Sequence, residues 1–297
     1  MTRQASWHPT ADSGIAIRWV EANGLTFEVA EAGEGKRLAL CLHGFPELHY
    51  SWRHQMPMLA QMGYRVWAPN MRGYGGTDRP LGMRAYRLET LAADVAALID
   101  ASGADEVTLI AHDWGAIVAW FFAIKRVRPL TALVILNVPH PLCGRREMKT
   151  WRQLRKSWYI FFFQLPSLGE RTLGRDGAAP IGRVFRNSAV NKHLFTREEV
   201  EPYRAAANRP GALTAMLNYY RALLQTPDIR RIGDGRVEVP TLVLWGEQDV
   251  AIDISVLDGT DAYVPDLTVR RFPHASHWVQ QDVPDAVNAA LAEWLTR

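Results

Sequence analysis

The sequence contains little cysteine and none of the common metal-binding patterns. Only Cys41 and Cys143 occur among 297 residues, which argues against a disulfide framework and favours a reducing compartment, so we expect a cytoplasmic protein. Cys-x-x-Cys, His-Glu-x-x-His and clustered histidine and cysteine spacings are all missing from the sequence. We therefore predict no metal site.

Long apolar runs and a strong charge of one sign are also missing. No stretch approaches the ~18 uninterrupted apolar residues of a membrane helix, and the first residues lack the apolar segment of a signal peptide. The formal net charge is +3 with both signs interspersed, which gives no case for binding nucleic acid or an anionic membrane surface. We expect a small-molecule partner, and the sequence leaves both a monomer and a homodimer open.

Strand and helix patterns alternate along most of the chain. The predicted strands cover residues 15–21, 25–31, 38–42, 66–69, 107–111, 133–136, 239–244 and 267–272. This alternation is typical of an α/β fold with a mostly parallel central sheet flanked by helices. Helical patterns alone occupy residues 144–233, which predicts an inserted helical cap between two parts of the core, residues 1–143 and 234–297. Asp282 is predicted to open the closing helix.

Residues 107–120 read VTLIAHDWGAIVAW, which predicts a buried strand, a tight turn and a helix. Small residues flank Asp113 at the centre of the turn, as they flank the nucleophile in the strand-to-helix elbow of hydrolase sheets. Ala111 stands where that elbow usually has its first glycine.

Aspartate at this position predicts two-step chemistry. Its carboxylate has an ordinary pKa of ~4 and is already an anion at neutral pH, so it needs no base to attack a carbon. The resulting ester must then be broken by a water that a histidine activates. The alternative is that Asp113 is only the N-cap of the helix that follows.

Residues 43–47 read HGFPE and follow the third predicted strand. Gly44 and Pro46 indicate a fixed, irregular loop at the carboxyl edge of the sheet, where α/β proteins bind ligands. The alternative is an ordinary strand-to-helix connection. Combined with the elbow, this loop predicts an oxyanion hole made by the backbone N–H groups of Phe45 and Trp114.

The last two predicted strands each end near a titratable side chain. Asp249 follows one strand and His277 follows the next, which gives the chain order nucleophile, acid, base. Asp253 or Glu247 is an alternative acid, and His274 is an alternative base.

These motifs resemble the epoxide hydrolases of the α/β-hydrolase fold over essentially the whole chain. The matching segments are HGFPE at 43–47, GYG at 73–75, HDWG at 112–115, WGEQD at 245–249 and the pair His277-Trp278. The resemblance implies a reaction without cofactors that converts an epoxide and water to a vicinal diol. It also implies Asp113 as nucleophile, His277 as base, Asp249 as its charge partner, Phe45 and Trp114 as backbone donors, and a cis Phe45-Pro46 bond.

The same family uses two cap tyrosines that bind and protonate the epoxide oxygen. Tyr159 resembles the first of them and Tyr220 the second, although the adjacent Tyr219 stays open for the second role. The resemblance further implies a set of substrate-binding residues: His43, Pro46, Trp114, Trp278 and Tyr219.

Haloalkane and haloacid dehalogenases are the competing interpretation because they share the aspartate nucleophile and the base. Halide leaves as a stable anion, whereas an opening epoxide produces an alkoxide that needs a proton donor such as tyrosine. Similar dehalogenases usually carry Asn at the position of Phe45, or Arg at that of Trp114, so both groups are disfavoured. A ligand-binding protein without catalysis is a more remote alternative.

Residues 145–156 contain six basic side chains and one acidic side chain, with aromatic residues between and after them. We interpret this run as a solvated helix face rather than an anion or lipid site, and the aromatic residues of the cap as core.

Overall fold

The computed structural model describes residues 3–226 and 231–297. An eight-stranded sheet runs through it in the order β1-β2-β4-β3-β5-β6-β7-β8. The strands are β1 (Ile15–Ala22), β2 (Leu25–Ala32), β3 (Arg37–Leu42), β4 (Arg65–Pro69), β5 (Glu106–His112), β6 (Ala132–Leu136), β7 (Thr241–Gly246) and β8 (Leu267–Phe272). The pairs β1–β2 and β2–β4 are antiparallel, and every later pair is parallel.

Helices cover both faces of this sheet, which confirms the predicted fold class. The core helices are α1 (Met56–Gln61), α2 (Leu88–Ser102), α3 (Trp114–Ile124), α11 (Val279–Asp282) and α12 (Pro284–Leu295). Successive residues of β5 belong to different buried clusters: Leu109 packs on one face of the sheet and Ile110 on the other. A strand buried on both faces favours apolar residues on both of them, which is why Leu109, Ile110 and Ala111 follow one another at the centre of β5.

Between β6 and β7 the described residues form helices and no strand. They are α4 (Pro141–Glu147), α5 (Trp151–Lys156), α6 (Trp158–Phe162), α7 (Leu168–Leu173), α8 (Arg175–Ser188), α9 (Arg197–Ala207) and α10 (Ala212–Gln225). The predicted cap is therefore helical, while its boundaries at 143/144 and 233/234 stay predictions. Residues 1–2 of the first predicted segment and residues 227–230 of the cap lie outside the described residues.

Two predicted elements begin two residues away from the observed start, while the other predicted strands begin within one residue of it. The seventh strand begins at Thr241 rather than at residue 239, because Pro240 has no N–H to donate to a neighbouring strand. Asp282 ends α11 instead of opening the closing helix, which begins at Pro284. The Asp282 carboxylate accepts hydrogen bonds from the backbone N–H groups of Ser276 and Asn191, at 2.7 Å each, and so ties the loop before α11 to the cap.

Within residues 3–226 and 231–297, none of the helices combines the length and the apolar character needed to cross a bilayer.

Candidate active site

Asp113 lies at the sharp turn between β5 and α3, at the carboxyl edge of the sheet. Its backbone has φ 46° and ψ −119°, a conformation that non-glycine residues seldom adopt and that is common at functional sites. The turn also requires small neighbours. A Cβ on Gly115 would collide with the carbonyl of Leu42, and a Cβ on Gly44 would collide with the Asp113 side chain.

The interpretation of Asp113 as a helix cap is wrong for its side chain. Asp113 occupies the N-cap position of α3, but its carboxylate accepts no capping hydrogen bond. Instead, the Phe45 N–H donates to Asp113 Oδ1 at 2.6 Å. Trp114 follows as the first residue of α3, where backbone N–H groups have no partner within the helix. The HGFPE loop and the elbow therefore meet around one carboxylate.

His277 lies between two carboxylates. Its Nδ1 is 2.6 Å from Asp249 Oδ2, and its Nε2 is 3.5 Å from Asp113 Oδ2. The alternative base, His274, is exposed to solvent. Of the two histidines, only His277 meets both the candidate nucleophile and an acid.

The alternative acids form other pairs. Glu247 lies 2.8 Å from Arg271 at the surface, and the Asp253 carboxylate binds cap residues, with Lys156 Nζ at 3.3 Å. Asp249 is the member of this group that contacts His277.

Asn137, which holds the acid in place, was not predicted from the sequence. This residue follows β6; its side-chain amide donates to Asp249 Oδ2 at 2.9 Å, and its Oδ1 accepts the Gly246 N–H at 2.8 Å. The backbone N–H groups of Ala251 and Ile252 donate to the other oxygen, Asp249 Oδ1. The carboxylate is therefore fixed on both oxygens, which orients the His277 ring that binds to it. An asparagine directly after a buried strand was the only sequence signal.

A second missed feature is a buried pair beneath the nucleophile. His112 Nδ1 lies 2.7 Å from Glu47 Oε2, and His112 Nε2 lies 2.8 Å from the backbone oxygen of His277. The side-chain amides of Gln280 and Gln281 donate to Glu47 Oε1. These contacts connect the HGFPE loop, the elbow and the His277 loop through side chains that water does not reach.

Charge coupling sets the protonation of the triad. Burial alone would raise the pKa of Asp113, but the hydrogen bond and charge of His277 outweigh it and leave the pKa below its ordinary value. Burial alone would lower the pKa of His277, but the charge of Asp249 and the bonding and charge of Asp113 raise it well above its ordinary value. These shifts favour the charged forms of both Asp113 and His277, so the Asp113 carboxylate is an anion that can attack a substrate carbon.

A cavity of about 440 Å³ opens beside Asp113, between the sheet edge and the cap. Most of its wall is apolar, and Trp114, Tyr159 and Tyr220 line it together with Asp113. The two tyrosine rings are 5.9 Å apart and nearly perpendicular. Burial, followed by the nearby Asp113 charge, raises the pKa of both phenols, so each keeps its proton across the neutral range.

Tyr219 points away from this cavity although it is next to Tyr220. Its hydroxyl donates to the backbone oxygen of Arg72 at 2.7 Å, and its fully buried ring packs against Tyr74 and Tyr86. Between the two adjacent tyrosines, the structure therefore brings Tyr220 to Asp113 and uses Tyr219 in the core.

Among the predicted substrate-binding residues, Trp114 lines the cavity and the others do not. His43 Nε2 accepts the backbone N–H of Met71 at 3.0 Å. The Trp278 indole donates to Ser188 Oγ at 2.8 Å. Pro46 belongs to the Phe45-Pro46 bond, which is cis as predicted, and Tyr219 lies in the core. Their contacts lie around the site, and their role in substrate binding stays a prediction.

Comparisons with known proteins identify the family to which this fold belongs. The model of the alpha/beta hydrolase fold family matches residues 40–284. The chain is 37% identical over 288 residues to the AB hydrolase superfamily protein YfhM of Bacillus subtilis, covering 95% of this chain and 98% of that protein. It is 34% identical over 285 residues to epoxide hydrolase 4 of Mus musculus, covering 93% and 78% of the two chains.

The fold is also that of solved epoxide hydrolases. The crystal structure of Bacillus megaterium epoxide hydrolase in complex with an inhibitor superposes with a TM-score of 0.87 at 30% identity, and the match covers 94% of this chain and all of that one, 100%. The family match, the curated relatives and this structural likeness lead to one conclusion: the chain belongs to the epoxide hydrolase family of the α/β-hydrolase fold.

Proposed function

We propose that this protein is an epoxide hydrolase that needs no cofactor and converts an epoxide and water to a vicinal diol. The observation that carries the proposal is one carboxylate, Asp113, that lines a cavity together with two protonated tyrosines and lies against a histidine–aspartate pair. Each group has a matching task in the opening and hydrolysis of a strained ether.

Ring opening is the first step. A carboxylate oxygen of Asp113 attacks an oxirane carbon, the carbon–oxygen bond of the ring breaks, and an ester forms. The developing alkoxide receives hydrogen bonds and a proton from Tyr159 or Tyr220, whose phenols face the same cavity. Tyrosine suits this task because its proton is held at neutral pH and released only as charge develops on the oxygen.

Ester hydrolysis is the second step. Esterification removes the charge of Asp113, which is one of the interactions that raises the pKa of His277 in the free protein. The pKa of His277 therefore falls when the ester forms, and the neutral imidazole takes a proton from a water that attacks the ester carbonyl. The N–H groups of Phe45 and Trp114 would stabilise the oxyanion, at about 3 kcal/mol for one such donor. The bond between the carbonyl carbon and the ester oxygen then breaks, and that oxygen takes the proton held by His277 and leaves in the diol. The regenerated carboxyl group of Asp113 loses its proton to the tyrosine that was deprotonated in ring opening.

A dehalogenase reaction would use the same carboxylate but needs no proton donor for its leaving group. The two phenols that line the cavity with Asp113 favour the epoxide, as do Phe45 and Trp114 in place of the residues expected of similar dehalogenases.

The proposal is tested by assaying wild type and Asp113→Ala on aryl and alkyl epoxides and on haloalkanes, with diol and halide measured in parallel. We expect diol from wild type and a loss of at least roughly 10³-fold in the variant, because the covalent route is removed. Halide as the main product would assign the dehalogenase reaction, and saturable binding of epoxides without any product would assign a binding protein.

The pH dependence should differ between the two steps. His277 must be neutral for ester hydrolysis, so this rate should fall as pH drops through the His277 pKa of the ester form. Ring opening needs ionised Asp113, whose pKa lies below its ordinary value, so it should persist at lower pH. Rapid quenching between pH ~8 and ~5, followed by mass spectrometry, should show the covalent ester accumulating towards acid. An equal response of both steps would contradict the assigned base.

A further inference from the structure

Large apolar side chains are exposed on the cap, against the expectation that they form core. Trp151 is 78% exposed, Trp158 62%, Phe161 50% and Leu165 48%. Scattered exposed apolar residues are ordinary, but two tryptophans and their apolar neighbours in fifteen consecutive residues mark an interaction surface.

Two of these side chains share one face of a short helix. Trp158 and Phe161 lie three residues apart on α6, which contains no buried residue, and Leu165 follows in the turn before α7. Gln164 joins this segment to the end of α10, because it donates to the Tyr220 backbone oxygen at 3.1 Å and contacts Gln225 at 3.4 Å. Leu224, which is 45% exposed, therefore continues the same surface.

The cavity reaches the surface here. Phe161 and Leu224 both line the cavity and are both about half exposed. A molecule that enters between them passes from the exposed apolar side chains directly towards Asp113.

Basic side chains that form no ion pair within the described part of the chain occur in the segment that contains Trp151 and leads into α6. Of the basic side chains at 145–156, Arg146, Arg152 and Lys156 have acidic partners. Lys149 and Arg155 are exposed, and neither forms an ion pair with any residue that the structure describes. The charge of the whole chain is nearly balanced, so the composition did not indicate this surface. The structure indicates it, because it shows which basic side chains have no acidic partner among the described residues.

We propose that this part of the cap docks on an anionic lipid surface with the cavity mouth facing the lipid. The docking face comprises Trp151, Trp158, Phe161, Leu165 and Leu224 with Lys149 and Arg155. Tryptophan and leucine beside lysine and arginine are the composition of segments that lie in a membrane interface. A second copy of the chain fits less well, because a two-fold contact would bring the same basic side chains together.

This inference rests on the proposed function in one respect. If the substrate is an epoxide, the docking face selects lipophilic epoxides that partition into bilayers, since these would enter the cavity without crossing water. Docking itself does not depend on which reaction follows.

The test is flotation of the full-length protein with vesicles of phosphatidylcholine alone and of phosphatidylcholine with phosphatidylglycerol. We compare wild type with Trp151→Gln/Trp158→Gln and with Lys149→Glu/Arg155→Glu. The matched control is Leu81→Gln/Arg84→Glu, a pair of exposed residues between β4 and α2. None of the substituted residues lines the cavity.

Wild type and control should bind the anionic vesicles, and binding should weaken as salt screens the charges. Each docking-face variant should bind the anionic vesicles at least roughly tenfold more weakly than wild type, because it loses two side chains that contact the lipid. Three results would each overturn the proposal. The wild type binds neither kind of vesicle, the docking-face variants bind as tightly as wild type, or the protein binds no vesicle and instead forms a dimer that the tryptophan variant abolishes. Diol formation from a water-soluble epoxide, measured on the same proteins, tests the proposed function separately.

Discussion

His277→Gln is expected to stop turnover at the covalent ester. Ring opening uses Asp113 and the tyrosines, whereas ester hydrolysis needs a base at His277 Nε2, which lies 3.5 Å from Asp113. We expect diol production to fall roughly 10²- to 10⁴-fold, the usual contribution of a general base. Intact-protein mass spectrometry should show the mass of one substrate molecule added to the variant.

His274→Gln is the matched control, because this histidine is exposed and only three residues away. It should turn over at the wild-type rate and show no trapped adduct. If His277→Gln loses activity without accumulating any adduct, the histidine acts in ring opening and the two-step assignment fails.

Removing both cavity phenols should almost abolish ring opening. Tyr159→Phe and Tyr220→Phe should each slow ester formation by about tenfold to 10²-fold, since the remaining phenol still donates to the oxygen. The double variant leaves the alkoxide without either donor, and we expect a loss of roughly 10³-fold or more in the single-turnover rate of ester formation.

Tyr219→Phe provides a sharp control. It removes the same hydroxyl from the adjacent position, where the hydroxyl serves the core through Arg72 rather than the cavity. We expect a stability loss of about 1 kcal/mol in urea unfolding and little change in ester formation. Full activity in the double variant, or an equal loss in Tyr219→Phe, would remove the two cavity phenols from the mechanism.

Local sequence patterns were sufficient to predict the strands of the sheet. The strand predicted at residues 267–272 is β8 as observed, and the apolar run of β5 reports its burial on both faces. Both boundary errors arose next to a proline. Pro240 directly precedes the first residue of β7, and Pro284 is the first residue of the closing helix α12.

The contacts that support the site were beyond the reach of the sequence. Asn137 lies more than a hundred residues from Asp249, and Glu47 is buried against Gln280 and Gln281 from the other end of the chain. Such pairs have no fixed spacing, because only the parallel sheet brings their loops to one edge. The exposed tryptophans of the cap were also beyond prediction. The number of aromatic residues in a segment does not tell which side of a short helix faces solvent.

The central claim is that Asp113 forms the covalent ester, and isotope transfer tests it most directly. The measurement is a single turnover, with protein in excess over epoxide, in water enriched in ¹⁸O, followed by mass spectrometry of both the diol and the peptide that contains Asp113. In the proposed route the oxygen added to the diol comes from Asp113, and water replaces it in the carboxylate. We therefore expect ¹⁸O in the Asp113 peptide and none in the first diol. Label in the diol and an unlabelled peptide would show direct attack by water and would contradict the account.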